Sequence, residues 1–171
     1  MKIVQITDLH LRCDKDYDAF DVNTFQSAKI IIDHICHLHK DLNALIISGD
    51  ISDDETSESY ANLLELTDKI DTEIYLMPGN HDSITEIKKC ASISKVKSEL
   101  YFVKDNWICF MFNTKKDNSP NGFLKQDEID IFIDMLEKYE EKYFMVFLHH
   151  HPVEIGSPTM DRMIIENANI L

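Results

Sequence analysis

At 171 residues, with 44% hydrophobic and 28% charged residues, the chain has enough apolar material for one domain with a substantial core. A formal charge of −14 argues against a nucleic-acid polymer as partner, because such proteins display a basic face. No apolar run approaches a membrane span, no signal-peptide pattern opens the chain, and the four cysteines form no Cys-x-x-Cys pair, so a reduced, cytoplasmic setting is expected.

The first apolar run, Val4 to Thr7, reads as a strand. Asn23 to Lys40 follows with Phe25, Ala28, Ile32 and Ile35 at helical spacing. Ala44 to Ser48 is a second strand, Ser57 to Ile70 a second helix striped by Tyr60, Leu63, Leu64 and Thr67, and Ile74 to Met77 a third strand. This strand–helix–strand alternation predicts parallel strands covered by helices. Leu100 to Val103 and Trp107 to Phe112, separated by Lys104-Asp105-Asn106, read as a hairpin. A loop with Pro120 and Gly122 leads to a third helix over Lys125 to Tyr139, with Ile129, Phe132, Ile133 and Leu136 expected to face inward. Tyr143 to Leu148 is the last strand, and Thr159 to Leu171 has the pattern of a helix start. All four single strands are expected to be buried on both faces, within one domain spanning residues 1–171.

Polar residues gather where these strands should end. Asp8 and His10 stand two apart on what should be extended chain, placing both side chains on one side. Together they form a ligand pair for Mn, Fe or Zn, although a salt-bridged Asp with a surface His would leave the same pattern. Asp50 follows Gly49 at the end of the second strand. A carboxylate there can bridge two cations, as two-metal phosphoryl displacement requires, or simply serve a turn. Gly79-Asn80-His81-Asp82 is the most specific block. Asn80 offers an amide oxygen to a cation, His81 is placed to contact a phosphate oxygen or protonate a leaving alkoxide, and Asp82 is expected to fix the His81 tautomer. His149-His150-His151 leaves an apolar strand directly, so at least one imidazole is expected on a metal. His34, His37 and His39 are read as solvent-facing or packing residues of the first helix.

The ordered set Asp8-x-His10, Gly49-Asp50, Gly79-Asn80-His81-Asp82 and His149 resembles the calcineurin-like metallophosphoesterase superfamily. Gln5 to Leu11, Val22-Asn23-Thr24, Leu148 to Pro152, Met160-Asp161-Arg162 and Asn167-Ala168 are similar to the bacterial class III 3′,5′-cyclic-nucleotide phosphodiesterases and their glycerophosphodiesterase relatives. The resemblance implies an α/β fold, a β-sandwich flanked by helices, and two divalent metal ions. One ion would be held by Asp8, His10 and a bridging Asp50, the other by Asp50, Asn80 and His149. His81 would assist in-line attack at phosphorus, and cyclic AMP would open to 5′-AMP. A Gly-His-x-His block that serves both metals in the family does not occur among the 171 residues. The chain therefore resembles the N-terminal portion of such an enzyme, lacking the C-terminal strands. Little diesterase activity and a tendency to associate, for example as a homo-oligomer, are expected of it alone. Two further readings are an impaired product with a weakened metal site, and a hydrolase for another ester such as a glycerophosphodiester.

Overall fold

A computed structural model describes residues 1–19 and 21–171. They divide into two compact units, Lys2–Ser98 and Glu99–Leu171, the second of which also takes Met1.

The first unit is a parallel sheet with helices. Its elements are β1 (Ile3–Ile6), a short antiparallel pair β2 (Asp18–Ala19) and β3 (Val22–Asn23), α1 (Thr24–Leu38), β4 (Ala44–Ser48), α2 (Ser57–Thr67), β5 (Glu73–Met77), α3 (Ile84–Ile93) and β6 (Val96–Lys97). The sheet order is β1-β4-β5-β6 with every pair parallel. Each helix starts on a side chain that accepts a backbone N–H: Asn23 for α1, Thr56 for α2 and Ser83 for α3. Phe25, Ala28, Ile32 and Ile35 of α1 pack with Tyr60, Leu63 and Leu66 of α2 against Leu45, Ile47, Ile74 and Leu76 of the two central strands. The α1 stripe read from spacing builds this core, whereas in α2 Leu66 takes a buried place and Leu64, expected on the stripe, is only half-buried.

Two expectations fail in this unit. β1 is an edge strand with half-buried or exposed side chains, not one covered on both faces; β4 alone is buried at every residue. The helix α3 and the strand β6 were missed by the hydrophobic pattern, because α3 buries only Ile87 and Cys90. The signal available was Ser83-x-x-Glu86, a capping-box spacing at the start of α3.

The second unit contains β7 (Tyr101–Lys104), β8 (Trp107–Met111), α4 (Gln126–Lys138) and β9 (Tyr143–Phe147), in the sheet order β7-β8-β9. β7 and β8 form the expected antiparallel hairpin, with Lys104 opposite Trp107 and Asp105 turning in the left-handed region at φ 53°. β9 runs parallel to β8 at the sheet edge, and Tyr143 is 62% exposed, so it too departs from the strand expected to be buried on both faces. α4 carries no side-chain cap but has Asp127 and Glu128 in its first turn, where carboxylates favour the helix dipole. Its inward face is Ile129, Phe132 and Met135; Ile133 and Leu136, expected inside, are 47% and 41% exposed. Phe132 fixes this rotation, because its ring packs edge-on against Phe110, Phe112 and Phe144 at 4.9, 5.4 and 5.7 Å. The segment expected to start a helix at Thr159 holds two short 3₁₀ turns instead, Met160–Arg162 and Ala168–Ile170. Among the described residues no helix is long and apolar enough to cross a membrane.

Candidate metal centre

In the first unit the chain leaving β1 is laced to the chain leaving β4. The Asp8 N–H donates to Gly49 O at 3.0 Å, His10 N–H to Asp50 O at 2.9 Å and Leu11 N–H to Ile51 O at 2.8 Å, while Asp53 N–H returns to Leu11 O at 2.9 Å. The Thr24 hydroxyl of α1 holds the His10 carbonyl at 3.0 Å. This lacing forces an unusual backbone. Asp8, His10 and Asp50 all sit in the left-handed region, at φ 57°, 44° and 48°. The extended geometry expected for Asp8-Leu9-His10 is therefore wrong, because the strand has already ended at Ile6. Left-handed backbone costs a non-glycine residue about 1–2 kcal/mol, and such strain persists where the surrounding structure over-determines it.

The strain aims three side chains at one point. Ligand atoms of Asp8, His10 and Asp50 lie within 4.8 Å of one another. His10 Nε2 is 3.7 Å from Asp8 Oδ1 and 3.7 Å from Asp50 Oδ2. Asp50 is only 5% exposed, and its other oxygen accepts the His81 backbone N–H at 3.0 Å. The Asp8 carboxylate raises the His10 pKa, burial opposes this, and Asp50 and Asp53 add to the rise. Two carboxylates converging on one imidazole form a donor set that a hard or borderline divalent cation satisfies better than a proton does. The residues present therefore fit a metal ion.

Asn80 and His81 enter on the turn after β5. Asp82, expected to orient His81, does something else. Fully buried, its carboxylate accepts the N–H groups of Ile51, Ser52 and Gly79 at 3.1, 3.0 and 2.9 Å and the Tyr60 hydroxyl at 2.9 Å. Burial pushes its pKa up, and these donors pull it back. Asp82 is thus the bolt that fastens the turn after β5 to the turn after β4, bringing Asn80 and His81 alongside Asp50. Its place near His81 is taken by Asp53, which the sequence reading missed. Asp53 Oδ1 lies 3.4 Å from His10 Nδ1 and 3.8 Å from His81 Nδ1, and the two rings meet edge to face at 5.2 Å. The signal was its place three residues after Asp50, but only the lacing of the two loops gives it a target.

The second unit holds the triplet of histidines just beyond β9. His150 is a structural residue. Its Nε2–H donates to Pro120 O at 3.1 Å, so in the neutral ring Nδ1 accepts from the Thr114 hydroxyl at 2.7 Å. Gly122 lies beneath it; a Cβ there would come within 2.7 Å of the His150 side chain. His151 Nε2 is 3.5 Å from Asp161 Oδ1. His149 is half-buried, its ring edge to face with His150 at 4.9 Å. Of the helix α1 histidines, His34 and His37 are exposed and His39 caps the helix end, as solvent-facing or packing residues do.

The chain belongs to the calcineurin-like phosphoesterase family, whose model matches residues 1–170. Among its relatives is a 3′,5′-cyclic-nucleotide phosphodiesterase of Nostoc sp., 28% identical over all of this chain and 64% of the relative. The 3′,5′-cyclic adenosine monophosphate phosphodiesterases of Haemophilus influenzae and Escherichia coli K12 are 25% and 26% identical, again over all of this chain and over 63% and 62% of their own length. The chain thus spans a little under two thirds of these relatives.

Proposed function

We propose that the chain carries the metal centre of a phosphodiesterase, and that the complete protein opens cyclic AMP to 5′-AMP in the cytoplasm. Asp8, His10 and Asp50 would hold one divalent ion, Mn, Fe or Zn, and Asp50 would be shared with a second ion beside Asn80. A ligand role for His149 rests on the family resemblance. The observation that carries the proposal is the meeting of Asp8, His10 and Asp50 within 4.8 Å on three left-handed residues. When bound, the ions would offset charge on the phosphoryl oxygens and make water acidic enough to attack near neutral pH.

The side chains supply the rest. Asp50 is buried and braced by the His81 backbone, so it presents a fixed oxygen. His81 is half exposed, with Nδ1 turned towards Asp53. Its Nε2 is left to deliver a proton to the leaving ribose oxygen as the P–O bond breaks. A small diester suits the net charge of −14 once cations offset the local carboxylates, whereas a nucleic-acid polymer does not.

Single-turnover incubation of the complete protein with cyclic AMP and Mn²⁺, followed by ³¹P NMR, tests the reading. The expected result is metal-dependent 5′-AMP that disappears in Asp50→Asn. Bound metal with cyclic AMP unchanged, and bis(p-nitrophenyl) phosphate or a glycerophosphodiester cleaved instead, would overturn the substrate assignment.

A further inference from the structure

Among the described residues, two clusters in the first unit have metal-ligand character: Asp8 with His10 and Asp50, and His10 with Asp53 and His81. They share His10, through opposite ring nitrogens. What separates them is Arg12. Its Nε–H donates to Asp53 Oδ2 at 2.8 Å, and its guanidinium carbon lies 4.0 Å above the centre of the Tyr17 ring. The Arg12 carbonyl accepts the Asn62 side-chain amide at 2.8 Å, and the neighbouring Cys13 N–H is held by Asp54 Oδ2 at 2.8 Å, so the backbone beneath the arginine is tied down as well.

Resting on the metal-centre reading above, we infer that Arg12, stacked on Tyr17, is a positioning residue that assigns the two clusters different roles. A guanidinium fork held on an aromatic face has little freedom left, so it fixes the rotamer of the carboxylate it grips. With Oδ2 taken by Arg12, Asp53 turns Oδ1 to His10 Nδ1 and to His81 Nδ1. A cation already neutralises Asp53, so this cluster is not a second metal site. Instead it stands behind the His10 ring, whose Nε2 faces Asp8 and Asp50. Carboxylates behind metal-bound imidazoles act in this way, and their loss typically costs 10–100-fold in metal affinity.

The sign of the effect separates this role from simple electrostatics. Deleting a positive charge beside an acidic site should strengthen cation binding, whereas deleting a positioning residue should weaken it. The test titrates Mn²⁺ into the full chain by calorimetry and reads the Asp53 rotamer from metal-free crystals of the wild type and of Arg12→Ala. The expected result is about tenfold weaker Mn²⁺ binding in Arg12→Ala and in Tyr17→Ala, with wild-type affinity in Tyr17→Phe, which keeps the ring face. The wild type should show one Asp53 rotamer with Oδ1 towards His10 Nδ1, and Arg12→Ala should lose it. Equal or tighter binding in Arg12→Ala, or an unchanged Asp53 rotamer there, would overturn the inference. A wild type that binds no Mn²⁺ but keeps that rotamer, lost in Arg12→Ala, would overturn the metal-centre reading and uphold the role of Arg12.

Discussion

His10 and His150 are the same residue type at comparable places, each just past a strand, yet they face opposite company. The His10 ring looks at three carboxylates, Asp8 and Asp50 on one nitrogen and Asp53 on the other, and it remains partly open to solvent. The His150 ring is buried, with a carbonyl on one nitrogen and a hydroxyl on the other, and with Gly122 against its face. Neutral partners satisfy an imidazole and end its chemistry. Charged partners held on strained backbone give it a donor set that a divalent cation fits.

The largest expected effect breaks the comparison at the His10 end. On the proposed reading Asp50→Asn should reduce Mn²⁺ affinity by more than about 100-fold, checked by calorimetry, because it would remove a charged ligand and not merely a supporting partner. The fold should survive, since the new amide oxygen still accepts the His81 N–H. The matching change at the other end is His150→Ala. It strands the Thr114 hydroxyl and the Pro120 carbonyl and opens a gap over Gly122. Urea unfolding should show a loss of about 2–4 kcal/mol.

Asp82→Ala sharpens the contrast, since Asp82 is charged like the ligands yet faces only backbone amides and a hydroxyl. Four buried donors lose their acceptor, and about 3 kcal/mol or more of stability should go with them by the same unfolding assay. Gly122→Ala should cost about 1–3 kcal/mol, because a methyl at that point collides with His150 and Ile165.

Much of this could be read from the chain, and the failures have physical causes. Asp8, His10 and Asp50 were legible because polar residues at the ends of apolar strands need a reason to be there. So was the stripe of α1. The turn between β1 and Arg12 was not, since its left-handed residues are imposed by hydrogen bonds to a loop about forty residues away. Asp53 and Asp82 exchanged roles for the same reason: adjacency to His81 in sequence favoured Asp82, but Asp82 points into the protein and Asp53 crosses the lacing. Three consecutive histidines carry no sequence signal that singles out the middle one as a staple. Burial of β1 and β9 was overestimated, because strand composition does not report position at an edge.

The smallest effect concerns pH. The His10 pKa is raised above its usual 6.5, mainly by Asp8. A raised histidine stabilises the metal-free fold fully below the unfolded pKa, and that contribution fades as pH climbs through the folded value. Metal binding should show the opposite trend, because the same proton must leave. Mn²⁺ affinity should therefore rise with pH through the region above 6.5, while thermal stability without metal declines slightly; the decline should be absent in His10→Gln.

Anomalous diffraction at the manganese edge, from crystals grown with Mn²⁺, addresses the centre itself. A peak within coordination distance of Asp8, His10 Nε2 and Asp50 is the predicted result. A metal seated instead on His10 Nδ1, Asp53 and His81, or no ion near Asp50 at millimolar Mn²⁺, would contradict the account.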